Sequence, residues 1–210
     1  FNENRQFFIE GTELFNKVGL FYSRRIGVQA PYEVGVLALN ENESLENTPL
    51  LPQLLNASKL SGRLNNGLGI AFFNAVTLEQ KGFAFNSSLN SRREVIVSPL
   101  TNYNVFVLDQ NLKNNSSITF TNTNVLRSGS AYDANVSGLN FRLNSNENTY
   151  YLNGNSALSA KISEQNEYGY SYSLNAGKQR GNFIYGLFYL EESDTYDPND
   201  LGFNYNNNRR

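Results

Sequence analysis

The fold of this chain is decided by the stretch Tyr168-Gly-Tyr-Ser-Tyr-Ser-Leu-Asn-Ala-Gly177. Successive side chains of a β-strand point to opposite faces, so this stretch has one small, polar face and one apolar face. The apolar face carries Tyr168, Tyr170, Tyr172 and Leu174. In a membrane-spanning barrel such a face meets lipid, while the polar face lines a hydrated interior. We therefore predict that these four side chains face lipid.

Similar alternating arms follow one another from about residue 52 to residue 190, separated by short runs of turn-forming residues. The clearest hairpin joins residues 54–64 to residues 68–78 through Asn65-Asn66-Gly67, because Asn-Gly accepts the positive φ angles of a tight primed turn. Further arms are predicted over residues 102–112, 118–127, 131–143, 149–162, 167–178 and 182–191. Consecutive arms of this kind pair as an antiparallel up-and-down meander.

The remaining segments interrupt this pattern. Residues 1–19 have irregular apolar spacing, which predicts an irregular or plug-like segment. The β-barrel is predicted over residues 20–210, with its first strand at residues 20–26. Long loops are predicted over residues 31–52 and 79–97, and the first of them should be solvated. The apolar phase switches at Ser137-Gly138, which predicts a β-bulge at Gly138.

The predicted arms are long. They run about nine to fourteen residues, whereas globular strands usually have about five to six and a membrane-spanning strand needs roughly nine to eleven. The predicted fold is therefore all-β, an antiparallel up-and-down meander forming a partial, about ten-stranded barrel of the outer-membrane type. The alternative is a water-soluble β-sandwich or solenoid, in which the same tyrosines pack against a second sheet.

Composition excludes several functions. Charged residues are only 17% of the chain and the net charge is -2, so nucleic acid is not an expected partner. The chain has no Cys and no His, which removes thiolate and imidazole metal ligands and most hydrolytic templates. No cofactor is predicted. No run of eighteen apolar residues occurs, so a transmembrane helix is not expected either.

Six charged residues on the polar faces of the arms are expected to point into the lumen: Lys59, Arg63, Asp109, Arg142, Lys161 and Lys178. They could set the ionic preference of a pore or pair across strands to fill the interior, and their mixed sign favours pairing. Five tyrosines near strand ends could form aromatic girdles at the lipid boundaries or stack on sugar rings: Tyr103, Tyr150, Tyr151, Tyr185 and Tyr189.

Acidic residues offer two weaker candidates for chemistry. Asp194, Asp197 and Asp200 are weak candidates for a Ca²⁺ site, but their spacing matches no established loop, so a solvated acidic loop is the favoured interpretation. Glu3, Glu10 and Glu13 could in principle supply the two carboxylates of a glycosidase. We do not expect this segment to be catalytic.

Five motifs along the chain resemble successive motifs of one family. They are Asn4-Arg-Gln-Phe-Phe-Ile-Glu-Gly11, Leu20-Phe-Tyr-Ser-Arg-Arg-Ile-Gly27, Ala57-Ser-Lys-Leu-Ser-Gly-Arg63, Asn74-Ala-Val-Thr77 and Asp197-Pro-Asn-Asp-Leu-Gly-Phe203. The family consists of uncharacterised Bacteroidetes outer-membrane β-barrel proteins. Gln6 stands where the family usually has Pro, which affects only the loop before Phe7.

The resemblance implies a setting for the chain. In the family the barrel follows a module similar to family-9 carbohydrate-binding domains, so such a module is expected before residue 1, and the chain is expected to stop partway round the barrel. The implied function is the membrane-embedded part of an outer-membrane protein, a passive channel or anchor associated with carbohydrate binding or uptake, with outer-membrane lipid as its partner. The alternative is a scaffold for a carbohydrate-active hydrolase.

Overall fold

The computed structural model describes residues 6–8, 10–27, 39–46 and 52–203. These residues form eleven strands: β1 (Glu43–Glu46), β2 (Leu54–Arg63), β3 (Leu68–Thr77), β4 (Gln80–Asn86), β5 (Ser91–Ser98), β6 (Thr101–Leu112), β7 (Ser116–Arg127), β8 (Asp133–Asn144), β9 (Tyr150–Ile162), β10 (Glu167–Lys178) and β11 (Tyr185–Glu192). All pairs are antiparallel. The predicted all-β antiparallel meander is confirmed.

Eight of the strands form the main sheet, in the order β11-β10-β9-β8-β7-β6-β3-β2. Apart from the insertion between β3 and β6, every strand pairs with its neighbour in sequence. Within the described residues the sheet does not close, since β2 and β11 are its two edges. The main sheet thus has eight strands rather than the predicted ten. Residues 202–203 form no strand, and residues 204–210 lie outside the described part of the chain.

A second, smaller sheet accounts for one of the predicted loops. The predicted loop at 79–97 is wrong, because β4 and β5 form a hairpin there and β1 pairs with β4 to give the order β1-β4-β5. Most of the other predicted loop, at 31–52, lies outside the described residues, but its residues 43–46 supply β1. The described residues contain no helix that is both long and apolar enough to cross a membrane.

The turn of the first hairpin shows why its register is fixed. Gly67 closes the turn between β2 and β3 with a φ of 84°, a conformation that side chains with a Cβ rarely adopt. A Cβ added to Gly67 would also lie 3.3 Å from the Cβ of Asn111. The register then runs without a shift from Asn56↔Val76 to Arg63↔Gly69.

The main sheet has two faces, which we name after neighbouring residues of β3. The Phe73 face carries Ala71, Phe73 and Ala75, and the Phe72 face carries Ile70, Phe72 and Asn74. The unbroken registers of β3 and β6–β10 extend each face across the sheet. The Phe73 face is largely buried, whereas most large side chains on the Phe72 face are exposed.

The segment 6–27 lies over the Phe73 face and supplies much of its apolar cover. It contributes Phe8, Leu14, Phe15, Phe21 and Ile26 to the core, all at most 8% exposed. Four phenylalanine rings of the segment lie within 6.3 Å of the Phe73 ring: those of Phe7, Phe8, Phe15 and Phe21. The predicted strand at 20–26 is wrong, since these residues form a short 3₁₀ turn at Ser23–Arg25 and pack on the sheet.

The predicted β-bulge at Gly138 is also wrong. Strand β8 pairs with β7 and β9 in continuous register through Gly138. Its apolar phase switches because different neighbours cover its two halves: Leu20 and Tyr196 pack with Val136 on the Phe73 face, whereas Leu139 begins a run on the Phe72 face. Gly138 itself makes room for Leu20, whose Cδ1 atom would lie 2.4 Å from an added Cβ.

Candidate functional site

Buried charges tie the segment 6–27 and the residues after β11 to the Phe73 face. Asp109 on β6 is fully buried, and its carboxylate accepts hydrogen bonds from Lys17 at 2.7 Å and from Thr119 at 2.7 Å. Arg63 on β2 forms a second ion pair with the same carboxylate. Lys59 donates to the backbone carbonyls of the N-terminal segment at Phe7 and Glu10. The predicted charges Lys59, Arg63 and Asp109 therefore share one face, where they hold the N-terminal segment.

A second buried ion pair joins Arg127 at the end of β7 to Asp200 in the loop after β11, with side chains 2% and 3% exposed. The Tyr132 hydroxyl donates to the same Asp200 oxygen at 3.0 Å, and Arg127 donates to the Tyr132 carbonyl at 2.8 Å. The Arg127 guanidinium also lies 4.6 Å from the Tyr132 ring centroid. Burial and the nearby Asp200 carboxylate raise the pKa of the Tyr132 hydroxyl, so it acts as a donor at neutral pH.

Lys161 on β9 lies on the Phe73 face and pairs with Asp197 at 2.7 Å. Burial opposes ionisation of Asp197, but the hydrogen bonds from Lys161 and from the backbone N–H of Asn199 outweigh it and lower the pKa of this carboxyl. Arg25 reaches the same loop, donating to the Gly202 carbonyl at 3.1 Å and to the Asn199 side chain at 3.2 Å. The first and last described segments thus meet on one face of the sheet.

Two of the three carboxylates that were weak candidates for Ca²⁺ binding are already in ion pairs. Asp197 and Asp200 are each neutralised by a cationic side chain, and Asp194 lies on the same loop. Within the described residues no group of three or more potential metal ligands comes together. Of the carboxylates considered for glycoside hydrolysis, Glu10 and Glu13 are exposed and Glu3 lies outside the described residues.

Two of the predicted lumen-facing charges behave differently. Lys178 pairs in register with Tyr150, and this places it on the Phe72 face rather than with the other five, so its predicted orientation is wrong. Its ammonium lies 5.9 Å from the Tyr150 ring centroid. Arg142 lies on the Phe73 face, opposite Ser117 and Asn153, but beyond the part that the N-terminal segment covers, and it is exposed.

The four side chains predicted to face lipid lie on the Phe72 face of β10. Tyr168, Tyr170, Tyr172 and Leu174 are 66%, 40%, 39% and 45% exposed, and no second layer of described residues covers them. Contact with lipid stays a prediction. Glu191 on β11, which no sequence pattern singled out, accepts hydrogen bonds from the hydroxyls of Tyr170, Tyr172 and Tyr189, at 2.7 to 2.8 Å.

A row of amides crosses the Phe72 face near one end of its strands. Asn74, Asn104, Asn124 and Asn135 are direct neighbours on β3, β6, β7 and β8. Asn74 donates to Asn104 at 2.9 Å, so part of the row is internally hydrogen-bonded. Only the register shows that this row shares a face with Phe72.

The tyrosines considered for girdles divide between the two faces. Tyr103 is 5% exposed and belongs to the core, so it does not suit a girdle. Tyr151 is half-buried on the Phe73 face and donates to Asn175 at 3.2 Å. Tyr150, Tyr185 and Tyr189 are exposed on the Phe72 face, as a girdle requires.

One end of the Phe73 face is neither apolar nor covered by the N-terminal segment. We call it the polar end; it carries Asn140, Arg142, Asn153, Asn155 and Asn175, which are exposed or half-buried. A cavity of about 340 Å³ opens beside it, between the turns that join β6 to β7, β8 to β9 and β10 to β11. This cavity is lined by Asn115, Arg142, Asn148, Gln179 and Arg180.

The small sheet carries its own exposed ion pairs. Arg93 on β5 donates to Glu43 on β1 at 2.7 Å, and Arg92 pairs with Glu46 at 3.0 Å. The hydrogen bonds from Arg93 and from the backbone N–H of Asn40 lower the pKa of Glu43 to about 2. These charges therefore hold β1 to the β4–β5 hairpin.

The described residues form an all-β protein whose main sheet is an antiparallel meander. Other segments of the chain cover one face of this sheet, and the other face is apolar and exposed. A family model described as "Domain of unknown function (DUF5916)" matches residues 1–210. The chain belongs to this family. No match was found among curated proteins or among solved structures.

Proposed function

We propose that this chain is the membrane-embedded sheet of an outer-membrane protein, acting as an anchor or passive channel associated with carbohydrate binding or uptake at the cell surface. The observation that carries the proposal is the exposure of the Phe72 face. Each of the eight strands places at least one large apolar or aromatic side chain there, and Leu60, Leu158 and Leu187 are 75%, 65% and 77% exposed. Soluble monomers rarely expose contiguous apolar patches larger than a few hundred Å².

The lengths of the strands support the same proposal. Strands β6 to β10 have 12 or 13 residues each. At about 3.3 Å per residue such a strand is about 40 Å long, and a tilt of about 40° reduces its height to about 30 Å. The hydrocarbon core of a bilayer is about 30 Å thick, so these strands are long enough to cross it.

Packing on the Phe73 face favours the anchor over the open channel. Phe15, Phe21 and Ile26 fill the space over β3, β6 and β7, and ion pairs at Asp109 and Asp200 hold the segments that cover this face. A permeation path along this face requires that these segments move. The family resemblance implies a sugar-binding module upstream of residue 1. In this proposal the anchor holds that module at the membrane.

Membrane insertion is tested with neighbouring tryptophan substitutions on opposite faces of β8. The chain has no Trp, so Leu139→Trp and Asn140→Trp each introduce a single fluorophore, on the Phe72 and Phe73 faces respectively. After reconstitution into vesicles, brominated acyl chains should quench the Leu139→Trp variant strongly and the Asn140→Trp variant weakly. Equal quenching, or no association with vesicles, would overturn the membrane proposal.

The anchor and the channel are separated by conductance. Single-channel recording on the reconstituted intact protein should show no steady conductance if the protein is an anchor. A steady conductance that requires displacement of the segment 6–27 would favour the channel. Quenching at Leu139→Trp without conductance would leave the anchor as the function.

A further inference from the structure

The cavity at the polar end has the charge of an anion site. Its lining consists of two guanidinium groups and three amides and includes no carboxylate. Its volume of about 340 Å³ falls within the range of small-molecule sites, roughly 300–1,000 Å³. Guanidinium groups bind carboxylates and phosphates through paired hydrogen bonds.

The cations of this cavity differ from three others on the Phe73 face. Arg63, Arg127 and Lys161 each pair with a carboxylate. Within the described residues no carboxylate pairs with Arg142 or Arg180. Two positive charges at the end of a strand and in the adjacent turn thus remain available to an anion.

The turns hold the lining in place. Arg180 donates to the backbone carbonyl of Glu147 at 2.6 Å, a contact that positions the side chain without neutralising it. Gln179 donates its side-chain amide to the Asn148 carbonyl at 2.8 Å, linking the turns β8–β9 and β10–β11. Asn115 and Asn148 have left-handed backbones, with φ of 55° and 52°, which Asn tolerates better than most residues.

Two buried acceptors beside Arg142 have no donor among the residues that the structure describes. Asn153, which pairs directly with Arg142 across the sheet, and Asn144, two residues further along β8, each bury a side-chain carbonyl oxygen without a hydrogen bond. Buried acceptors normally have a partner, because desolvation without one is costly. These two acceptors lie beside the cavity and not in its lining, so the lining amides of Asn115, Asn148 and Gln179 are the groups that would meet hydroxyls of a ligand.

We propose that the polar end of the Phe73 face binds a small oxyanion, a carboxylate or a phosphate, through Arg142 and Arg180. Asn115, Asn148 and Gln179 complete the site as neutral hydrogen-bonding groups. The inference does not depend on the membrane proposal, since the cavity belongs to the sheet itself.

The test is calorimetric titration of the intact protein in neutral-detergent micelles with gluconate, propionate, inorganic phosphate and glucose. Gluconate or phosphate should bind with a Kd of about 1 mM or tighter, and glucose should bind at least tenfold more weakly (roughly 1.4 kcal/mol). Gluconate binding without phosphate binding identifies a carboxylate site, and the reverse identifies a phosphate site. Tighter binding of gluconate than of propionate supports the contribution of hydroxyl groups.

The variant Arg142→Gln with Arg180→Gln should weaken anion binding by at least about tenfold. The matched control is Lys81→Gln with Arg92→Gln in the small sheet, which removes two exposed positive charges away from the cavity and should leave binding unchanged. Amide chemical shifts of the unmodified protein provide a second readout that does not depend on a variant: gluconate or phosphate should perturb Asn148 and Gln179. Absence of anion binding, equal binding of glucose, or unchanged binding by the double variant would overturn the proposal.

Discussion

The Phe72 and Phe73 faces are formed by the same strands, yet the face with the larger apolar side chains is the more exposed of the two. The Phe72 face carries most of the large apolar residues and leaves them exposed, as at Leu158 with 65% exposure. The Phe73 face has many small and polar residues, and where the chain covers this face they are buried completely, as at Thr119, Thr121 and Asp109. The comparison teaches that hydrophobicity alone does not decide which face of a sheet is covered. The segments that cover the Phe73 face lie far in sequence from the strands against which they pack.

The largest expected difference between the faces concerns two adjacent phenylalanines. Phe73→Ala should destabilise the protein by about 3–5 kcal/mol, because Phe73 is 2% exposed and packs against four other rings. Phe72→Ala, on the opposite face, should cost about 1 kcal/mol or less, because Phe72 is 44% exposed. Denaturant titration in micelles measures both, and equal losses would contradict the assignment of the faces.

The next largest difference concerns a carboxylate on each face. Asp200→Asn should cost about 3 kcal/mol, because it leaves the buried Arg127 guanidinium without its counter-charge. Glu191→Gln on the Phe72 face should cost about 1 kcal/mol, because one of the two acceptor oxygens remains and the tyrosine hydroxyls that lose the other are on exposed side chains. The same unfolding titration compares them. A loss of about 1 kcal/mol or less for Asp200→Asn would contradict the dependence of the buried Arg127 on Asp200.

A smaller effect is expected where a side chain is added rather than removed. Gly138→Val should cost about 1–3 kcal/mol, because its Cβ would lie 2.4 Å from Leu20 and force the segment 6–27 away from β8. The control is Gly62→Val on the Phe72 face, where no atom lies within 4 Å of an added Cβ. Trypsin should cleave Gly138→Val faster than Gly62→Val at Lys17, Arg24 and Arg25. Equal cleavage rates would contradict the contact between Leu20 and β8.

The smallest expected effect is a pH dependence confined to the loop after β11. The pKa of Asp197 is lowered from its ordinary value of 3.8, so its contribution to stability is present above pH 3.8 and is lost as the pH falls through the lowered pKa. Hydrogen exchange of residues 193–203 should therefore show lost protection at acid pH, after correction for the intrinsic rate. Asp197→Asn should remove this dependence. Loss of protection in the variant at the same pH would contradict the role of Asp197.

The strands were predictable because their signals are local. Alternation with a period of two and turn-forming residues located every arm of the main sheet, and the largest error is at β11, which begins at Tyr185 rather than at residue 182. The conformation of residues 20–26 was not predictable. Their apolar residues suit a strand, but Phe21 and Ile26 pack onto the sheet instead of pairing with it. The apolar residues at 83, 85, 95 and 97 form a separate hairpin, although the charges around them indicated a loop.

The site residues were predictable only in part, for the same reason. The alternation placed Lys59, Arg63, Asp109, Arg142 and Lys161 on one face, and the register agrees. Lys178 was misassigned although the same alternation already groups it with Tyr168 and Tyr170. The cavity around Arg142 and Arg180 could not be found from the sequence, because its lining comes from three turns separated along the chain.

The amino-acid order is enough to locate the strands of the main sheet and to say which side chains share a face, because both follow from the geometry of neighbouring residues. The covered face, the charge pairs and the place of the cavity follow from the packed fold instead. These outcomes rest on contacts between distant positions, such as Lys17 with Asp109, 92 residues apart, and Arg127 with Asp200, 73 residues apart. No local pattern encodes such pairs, because each forms only after the strands between its members have been placed.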